Sequence, residues 1–132
     1  MGQQQLHLIV LGIIIVGLSI AVGLIRFNTN AIQSNRDAVI LDLNNLSLDA
    51  ISYYKKDDSL GGGNYSFLGF TMSDQLNENE DGIYTVISIQ PQRIIFQGVG
   101  VEKEGDSGCN QGNNITYQLI VEPTESELIK FQ

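Results

Sequence analysis

The chain contains few of the residues that interrupt helices or carry chemistry: one cysteine, two prolines, one histidine and no tryptophan among 132 residues. A single cysteine, Cys109, excludes an internal disulfide and suggests no thiolate metal cluster. No proline occurs before Pro91, and no glycine lies between Gly23 and Gly61, so a helix could run through that interval. The first 25 residues also lack Asp, Glu, Lys and Arg, which is atypical of a solvated protein surface.

What fills this charge-free beginning is an apolar segment, Leu6–Ile25, with the sequence LHLIVLGIIIVGLSIAVGLI. Only His7 and Ser19 carry polar side chains in it. As a helix, twenty residues would be about 30 Å long, the thickness of the hydrocarbon core of a bilayer. The segment therefore predicts either a membrane span or a surface that is buried against copies of the same chain.

Charge is concentrated after the apolar segment. Arg26 is followed by six basic and fifteen acidic residues, so the rest of the chain has a net charge of −9. Nucleic acids and anionic lipid surfaces are polyanions, and an acidic domain is a poor partner for either. We therefore expect no nucleic acid among the partners.

The apolar segment does not have the pattern of a cleaved secretory signal. No Lys or Arg precedes it, it is longer than the usual apolar region of 7–15 residues, and no A-x-A-like site follows Ile25. We expect the segment to be retained.

Helical periodicity continues beyond the apolar segment. Apolar residues recur at steps of three, four and seven, which places them on one helical face, whereas polar residues such as Asn35 and Asp42 fall largely elsewhere. Asn28-Thr29-Asn30 has poor helix propensity and marks a candidate bend or locally melted turn. The pattern predicts one helix from about Gln4 to Lys56, ended by glycines 61–63, with this apolar face: Ile32, Val39, Leu43, Leu46, Ala50 and Tyr53.

The periodicity changes to two after the glycines, which is typical of strands. Three strands are predicted, with a fourth candidate at Leu128–Phe131 and a weak one at Phe67–Met72. Consecutive short strands suggest an antiparallel meander that the amphipathic half of the helix covers on its apolar face. The three predicted strands are Ile83–Ile89, Arg93–Val101 and Ile115–Glu122.

The predicted fold class is therefore α+β: a long N-terminal helix packed against a C-terminal antiparallel sheet of three to four strands. Residues 1–26 form the apolar half-helix, and residues 27–132 form a head domain. The head combines an amphipathic half-helix, 27–56, with a β-sheet region, 64–132.

The N-terminal stretch GQQQLHLIVLGIIIVGLSIAVG, together with this architecture, resembles type IV pilins and their relatives. In that family the apolar half-helix anchors the subunit in the inner or cytoplasmic membrane before assembly and forms the filament core afterwards. The resemblance implies a structural subunit of an extracellular, cell-surface filament whose partner is itself. It implies no cofactor and leaves the attachment target unknown.

The chain departs from the pilin pattern at its N-terminus. Only Met1-Gly2 precedes the polar residues, in place of a basic leader, and the head lacks a disulfide-closed loop. Where the family has an acidic residue near the mature N-terminus, this chain has Gln3, Gln4 and Gln5. Neutral amides can hydrogen-bond a terminal amine or each other without burying a charge. We take Gln3, Gln4, Gln5 and His7 as candidate polar contacts.

Packing between copies is the mechanism that the resemblance implies for the apolar segment. Glycines allow helices to approach closely, and Ile and Val fill the remaining space, although the spacing is not GxxxG and the same glycines are tolerated in any membrane helix. The candidate filament-core residues are Leu6, Leu8, Ile9, Leu11, Gly12, Ile13, Ile14, Val16, Gly17, Leu18, Ile20, Ala21 and Leu24.

Two other functions remain open from sequence. One is a single-pass membrane-anchored protein that presents a binding or adaptor head, and the other is a pseudopilin of a secretion machine. A binding module predicts a monomer or small oligomer in detergent, and a pseudopilin predicts only short assemblies.

Two short patterns have a common and a specific interpretation. Residues 77–82 (NENEDG) resemble the start of a calcium loop, but Ser88 stands where an EF-hand loop needs glutamate, so an ordinary acidic turn is favoured. Three Asn-x-Ser/Thr triplets occur, and those at Asn64 and Asn114 fall in predicted loops where glycosylation is feasible; the third, at Asn45, lies on the helix.

No pattern of residues indicates catalysis or a metal site, and we expect no enzyme. The predicted head lacks histidine, and Cys109 lies in a polar, glycine-rich loop, Lys103–Asn114, with only Lys103 to lower a thiol pKa. The aromatic residues Phe27, Tyr53 and Tyr54 are expected to pack in the core and not to conduct electrons.

Overall fold

The computed structural model describes residues 2–104 and 112–131. Helix α1, Gly2–Lys55, is a single uninterrupted helix, as the sequence predicts. Residues 28–30 are helical, so the alternative of a locally melted turn is wrong. The Thr29 hydroxyl donates to the Ile25 carbonyl at 3.0 Å, so this side chain bonds within the helix and does not compete with it.

The chain folds back on the end of α1 and satisfies its last carbonyl groups. After a short 3-10 turn, Asp58–Leu60, the Gly63 amide donates to the Tyr53 carbonyl at 2.8 Å. The Tyr65 amide likewise donates to the Tyr54 carbonyl at 2.8 Å. The last carbonyl groups of a helix have no hydrogen-bond partner within the helix. The glycine-rich turn therefore ends α1 and supplies the amide donors that these carbonyls need.

Within residues 2–104 and 112–131, four strands are present: β1 Gly82–Gln90, β2 Arg93–Glu104, β3 Asn113–Val121 and β4 Ser126–Phe131. They form one antiparallel sheet in the order β1-β2-β3-β4, which is a meander. The fourth candidate strand is confirmed, whereas Phe67–Met72 contains no strand, and a short helix α2, Asp74–Asn77, precedes β1. The register shifts between Val86 and Ser88, which leaves an irregularity in β1 at Ile87.

Strands β2 and β3 extend into the predicted loop Lys103–Asn114. Lys103 pairs with Asn114, and Glu104 pairs with Asn113. The predicted loop boundaries are therefore wrong at both ends, because cross-strand pairing compensates for the low strand propensity of these polar residues. Cys109 and the centre of the loop lie outside the described residues.

The chain divides into two compact units, residues 1–33 and 34–132. In the second unit, α1 covers one face of the sheet, and the core combines apolar residues from both layers. Asn35 is buried, contrary to its predicted place among the exposed polar residues, and Ile32 is only half-buried. The buried positions of α1 are Asn35, Val39, Leu43, Leu46, Ser47, Ala50 and Tyr54.

Two glycines of β2 allow α1 to lie close to the sheet. A Cβ atom added at Gly98 would lie 3.0 Å from Val39 Cγ1 and 3.1 Å from the Tyr84 ring. A Cβ atom at Gly100 would collide with Asn35 Oδ1. The missing side chains make room for Val39 and Asn35, which explains glycine at two central strand positions where it is otherwise unfavourable.

Aromatic rings fill the core around the end of α1. The rings of Tyr54 and Phe67 lie 4.7 Å apart between centroids, and those of Phe70 and Phe96 lie 5.9 Å apart. The prediction of core packing is correct for Tyr54 and partly for Tyr53, which is half-buried. It is wrong for Phe27, whose side chain is 76% exposed and lies in the first unit.

Candidate functional site

The apolar segment Leu6–Ile25 presents its side chains to the outside on every side of the helix. All thirteen predicted filament-core residues are exposed, and none of the most apolar 18-residue stretch of α1 is buried. Within the described part of the chain, α1 is one helix that is long and apolar enough to cross a membrane. This surface is satisfied only by lipid or by another protein chain.

The glycines of the apolar segment have no neighbour within the chain. A Cβ atom added at Gly12, Gly17 or Gly23 would meet no atom within 4 Å. Glycine costs about 1 kcal/mol relative to alanine inside a helix. Nothing in residues 2–33 compensates for that cost, so any packing benefit of these glycines must come from contact with another molecule.

Polar side chains near the apolar segment bond to the helix itself. His7 Nδ1 lies 2.6 Å from the Gln3 carbonyl oxygen, and because a carbonyl only accepts, Nδ1 carries the hydrogen. The Ser19 hydroxyl donates to the Ile15 carbonyl at 2.8 Å. These bonds reduce the cost of placing both side chains in an apolar environment. The amides of Gln3, Gln4 and Gln5 are exposed in the same part of the helix.

The head contains a polar cluster that joins α1, β1 and the turn before it. Asp42 Oδ2 accepts hydrogen bonds from the Tyr84 hydroxyl and from Asn79 Nδ2, each at 2.7 Å. Tyr84 is fully buried, and this desolvation, followed by the bond to the Asp42 carboxylate, raises the pKa of the phenol above its ordinary value. The phenol therefore remains a neutral donor, and the cluster holds elements together.

Residues 77–82, which resemble the start of a calcium loop, form a turn around Asn79. Asn79 Oδ1 accepts from the amides of Asp81 and Gly82 at 2.9 and 3.0 Å. Asn79 Nδ2 donates a hydrogen bond to Asp42 Oδ2, so both the oxygen and the nitrogen of this side chain are bonded to protein groups. Among the described residues, no group of three His, Cys, Asp or Glu side chains is placed to hold a metal ion.

Asn35 ties α1 to two other segments of the head. Its Nδ2 donates to the Asp81 carbonyl at 2.7 Å, and its Oδ1 accepts from the Glu102 amide at 3.2 Å. Both groups of the amide are thus satisfied although the side chain is buried. Sequence periodicity missed this residue because a polar type at a core position gives no apolar signal.

Ion pairs lie at the rim of the sheet. Glu104 accepts from Lys130 at 2.6 Å and from Arg36 at 3.0 Å, and these contacts, that of Lys130 first, hold the pKa of the Glu104 carboxyl below its ordinary value. Arg93 pairs with Glu122 at 2.7 Å on the same sheet. Arg36 joins α1 to β2, whereas the pairs of Lys130 and Arg93 join strand ends; all three pairs are partly exposed, and each contributes little to stability.

The three glycosylation triplets differ in their surroundings. Asn64 is exposed and has a positive φ of 45° in the turn after α1. Asn114 is exposed at the start of β3, where its Nδ2 donates to the Gly100 carbonyl at 3.2 Å. Asn45 is exposed on α1, but Ser47 of its triplet is buried and donates to the Asn44 carbonyl.

The fold and its exposed surfaces define a class of protein: an α+β head whose covering helix begins with an uncharged apolar stretch of membrane-span length. Comparisons of the chain with protein families, with curated proteins and with solved structures find no match. Function is therefore argued from the chain's own residues.

Proposed function

We propose that this protein is a structural subunit of an extracellular pilus-like filament. The apolar segments Leu6–Ile25 bundle in the filament core, and the acidic heads face water. Before assembly, the same segment anchors the subunit in the membrane. The attached head keeps each subunit soluble on the outside of the bundle, because its net charge of −9 favours hydration.

The observation that carries the proposal is the contrast between the two parts of α1. Residues 35–54 bury one face against the sheet, whereas the apolar segment is exposed on all faces. Burying one Leu or Ile side chain from water contributes about 1.5–3 kcal/mol, so the eleven exposed Leu and Ile side chains of the segment cannot remain in water. In lipid the apolar side chains are already removed from water, so helix association there depends on close packing, which Gly12, Gly17 and Gly23 permit.

Open-ended assembly also has a symmetry requirement. A filament repeats a heterologous contact that does not close, so each subunit needs two different complementary surfaces. A helix that is apolar on every side meets this requirement, because opposite faces of one segment can contact different neighbours.

Electron microscopy of material sheared from the cell surface tests the proposal. We expect fibres that contain this chain, and we expect Ile14→Asp to abolish them, because a carboxylate in an apolar bundle loses its hydration. Ile14→Leu, which keeps volume and polarity, is the matched control and should assemble. Normal fibre yield from Ile14→Asp, or recovery of the chain only as detergent-extracted monomer with no fibres, would contradict the proposal.

The second candidate is a membrane-anchored binding or adaptor protein, which the membrane-span length of the apolar segment favours. It requires a monomer or small oligomer in detergent and tolerance of Gly12→Leu. The filament proposal requires the opposite, since a leucine at position 12 would keep packed helices apart. A pseudopilin is the third candidate, and assemblies limited to a few subunits would identify it.

A further inference from the structure

We propose that neighbouring heads in the assembly contact each other through two uncharged surfaces: the outer face of the sheet on one copy and the outer face of α1 on the next. This inference rests on the proposed function, because assembly brings copies of the head together. It goes further in naming which surfaces meet and in committing to a second copy of this chain as the occupant.

The first surface, the outer sheet face, consists of two rows that cross all four strands. The register pairs one row as Ile83, Val99, Thr116 and Phe131. It pairs the next row as Thr85, Gln97, Gln118 and Ile129. Their neighbours along the strands, such as Tyr84 and Tyr117, point into the core, so these rows point away from α1.

The outer sheet face is unusual for a sheet with a helix on its other side, where solvent-facing positions are commonly polar. Ile83 and Phe131, at opposite ends of one row, are 50% and 45% exposed. The uncharged polar residues between the apolar ones are threonine and glutamine. Charges begin in the rows on either side. Lys103, paired with Asn114, follows the first row, and Glu127, paired with Ile120, follows the second.

The second surface, the outer helix stripe, lies on the part of α1 that belongs to the head. Leu41 and Leu48 are seven residues apart and therefore lie on one helical face. Their side chains are 61% and 64% exposed. The exposed uncharged residues Asn44, Asn45 and Ser52 lie beside them and complete the stripe. The stripe ends at charged residues, because Asp37 lies one turn before Leu41 and Lys55 lies two turns after Leu48 on the same face. The stripe lies opposite the buried face of the helix, so it is not used for packing within the head.

Charge indicates which partner these surfaces fit. The chain has a net charge of −8, so two copies repel unless their contact excludes carboxylates. The two rows and the stripe positions Leu41, Asn44, Asn45, Leu48 and Ser52 carry no formal charge, and Asp37 and Lys55 stand only at the two ends of the stripe. Uncharged positions of this kind suit contact between copies. A cationic partner would instead be met by acidic residues, and an anionic membrane surface by basic ones; neither kind of residue is present in the two rows or in the stripe.

The arrangement of the two surfaces matches the symmetry of a filament. They lie on opposite sides of a two-layer head, with the helix outside on one side and the sheet outside on the other. Contact of the stripe on one copy with the sheet on the next leaves a free stripe and a free sheet at the two ends. Such a heterologous contact repeats without closing, as filament growth requires.

A charge-swap experiment on the full-length chain tests the contact. Leu48→Glu alone and Gln118→Lys alone should each lower fibre yield by roughly ten-fold, because a single charge in a neutral contact loses hydration without gaining a partner. The double variant should recover most of the yield, because the glutamate and the lysine then face each other across the contact. Leu60→Glu and Gln90→Lys, exposed positions on neither surface, are the matched controls and should assemble normally.

Crosslinking in native membranes tests the same contact without requiring fibres. In a Cys109→Ser background, Leu48→Cys combined with Gln118→Cys should give a ladder of dimers, trimers and larger products on mild oxidation. Each cysteine alone should give no more than background. Dimers from Gln118→Cys alone would instead show two sheets meeting face to face and would overturn the proposal.

The outcomes separate this contact from the proposed function. Fibres that are lost with Ile14→Asp but unaffected by Leu48→Glu and Gln118→Lys, with no ladder, overturn the head contact and leave the filament proposal intact. A ladder in membranes without fibres in any preparation supports the head contact and contradicts the filament. Absence of both ladder and fibres overturns both.

Discussion

The Tyr84 hydroxyl donates a 2.7 Å hydrogen bond to Asp42 Oδ2 across the interface between β1 and α1. Asn79 Nδ2 donates to the same oxygen, so one carboxylate joins the helix, the first strand and the turn before that strand. Hydrogen bonds to a charged acceptor contribute about 1.5–3 kcal/mol, more than neutral ones. This cluster is therefore a principal polar contact between the two layers of the head.

Tyr84→Phe should lower the free energy of unfolding of the head by about 1.5–3 kcal/mol at pH 7. It should also change the pH dependence. The folded-state pKa of Tyr84 lies above its unfolded value near 10, so its contribution is complete below pH 10 and is lost as pH rises through the folded pKa. Denaturation of the full chain in detergent at pH 8 to 11 measures the difference from wild type, which should shrink at high pH.

Tyr65→Phe is the matched control for that experiment, because Tyr65 is 66% exposed. Its curve should follow that of wild type over the whole pH range. If the difference in free energy of unfolding between wild type and Tyr84→Phe is constant from pH 8 to 11, the raised folded-state pKa of Tyr84 is wrong.

Asn35→Leu should destabilise the head by about 2–4 kcal/mol, because it leaves the Asp81 carbonyl and the Glu102 amide without their partner. Asn44→Leu makes the same change on the exposed side of α1 and should shift the free energy of unfolding by less than about 0.5 kcal/mol. Chemical denaturation of both variants provides the comparison. Equal stabilities would show that the buried amide contributes nothing to the docking of α1.

Gly98→Val should destabilise the head by about 1–3 kcal/mol, since the added atoms would overlap Val39 and the Tyr84 ring. Gly12→Val, where nothing lies within 4 Å, should leave the unfolding of the head unchanged. Thermal unfolding followed by near-ultraviolet circular dichroism reports on the tyrosines of the head. A normal transition in Gly98→Val would contradict the close approach of the two layers.

Lys130→Met should raise the pKa of the Glu104 carboxyl toward its ordinary value, because the hydrogen bond from Lys130 is the main cause of its lowered pKa. In wild type, the stabilisation from this carboxylate is present above its unfolded pKa and is lost as pH falls through the lower folded pKa. Titration of the carboxyl carbon by NMR measures the pKa, with Lys103→Met as control. An unchanged value in Lys130→Met would assign the effect to Arg36.

Residues 31–132 should fold without the apolar segment. All of the large buried residues from Asn35 to Val121 belong to the unit 34–132, so the truncation removes no core side chain. We expect a soluble chain with a cooperative unfolding transition and dispersed amide resonances. A molten product that lacks near-ultraviolet circular dichroism would show that the head depends on residues 1–30.

Local patterns account for most of the fold. The uninterrupted helix follows from the absence of proline and glycine between Gly23 and Gly61, and the strands follow from alternating apolar residues. The same patterns failed at Asn35, where a polar residue is buried, and at Phe27, where an aromatic residue is exposed. In both cases burial is set by which residues lie opposite in space, and periodicity along the chain does not contain that information.

The apolar segment could be found from sequence because its property is local: twenty consecutive residues without a formal charge, of which only His7 and Ser19 are polar, require lipid or another chain around them in any tertiary context. The row that Ile83, Val99, Thr116 and Phe131 form across the sheet could not, because these residues come into one row only through strand register. Hydrophobic content and period therefore determined the helix, the meander and the need for an apolar environment. Tertiary structure alone decided which polar side chains join the layers and which faces remain open, since both depend on contacts between residues far apart in the chain.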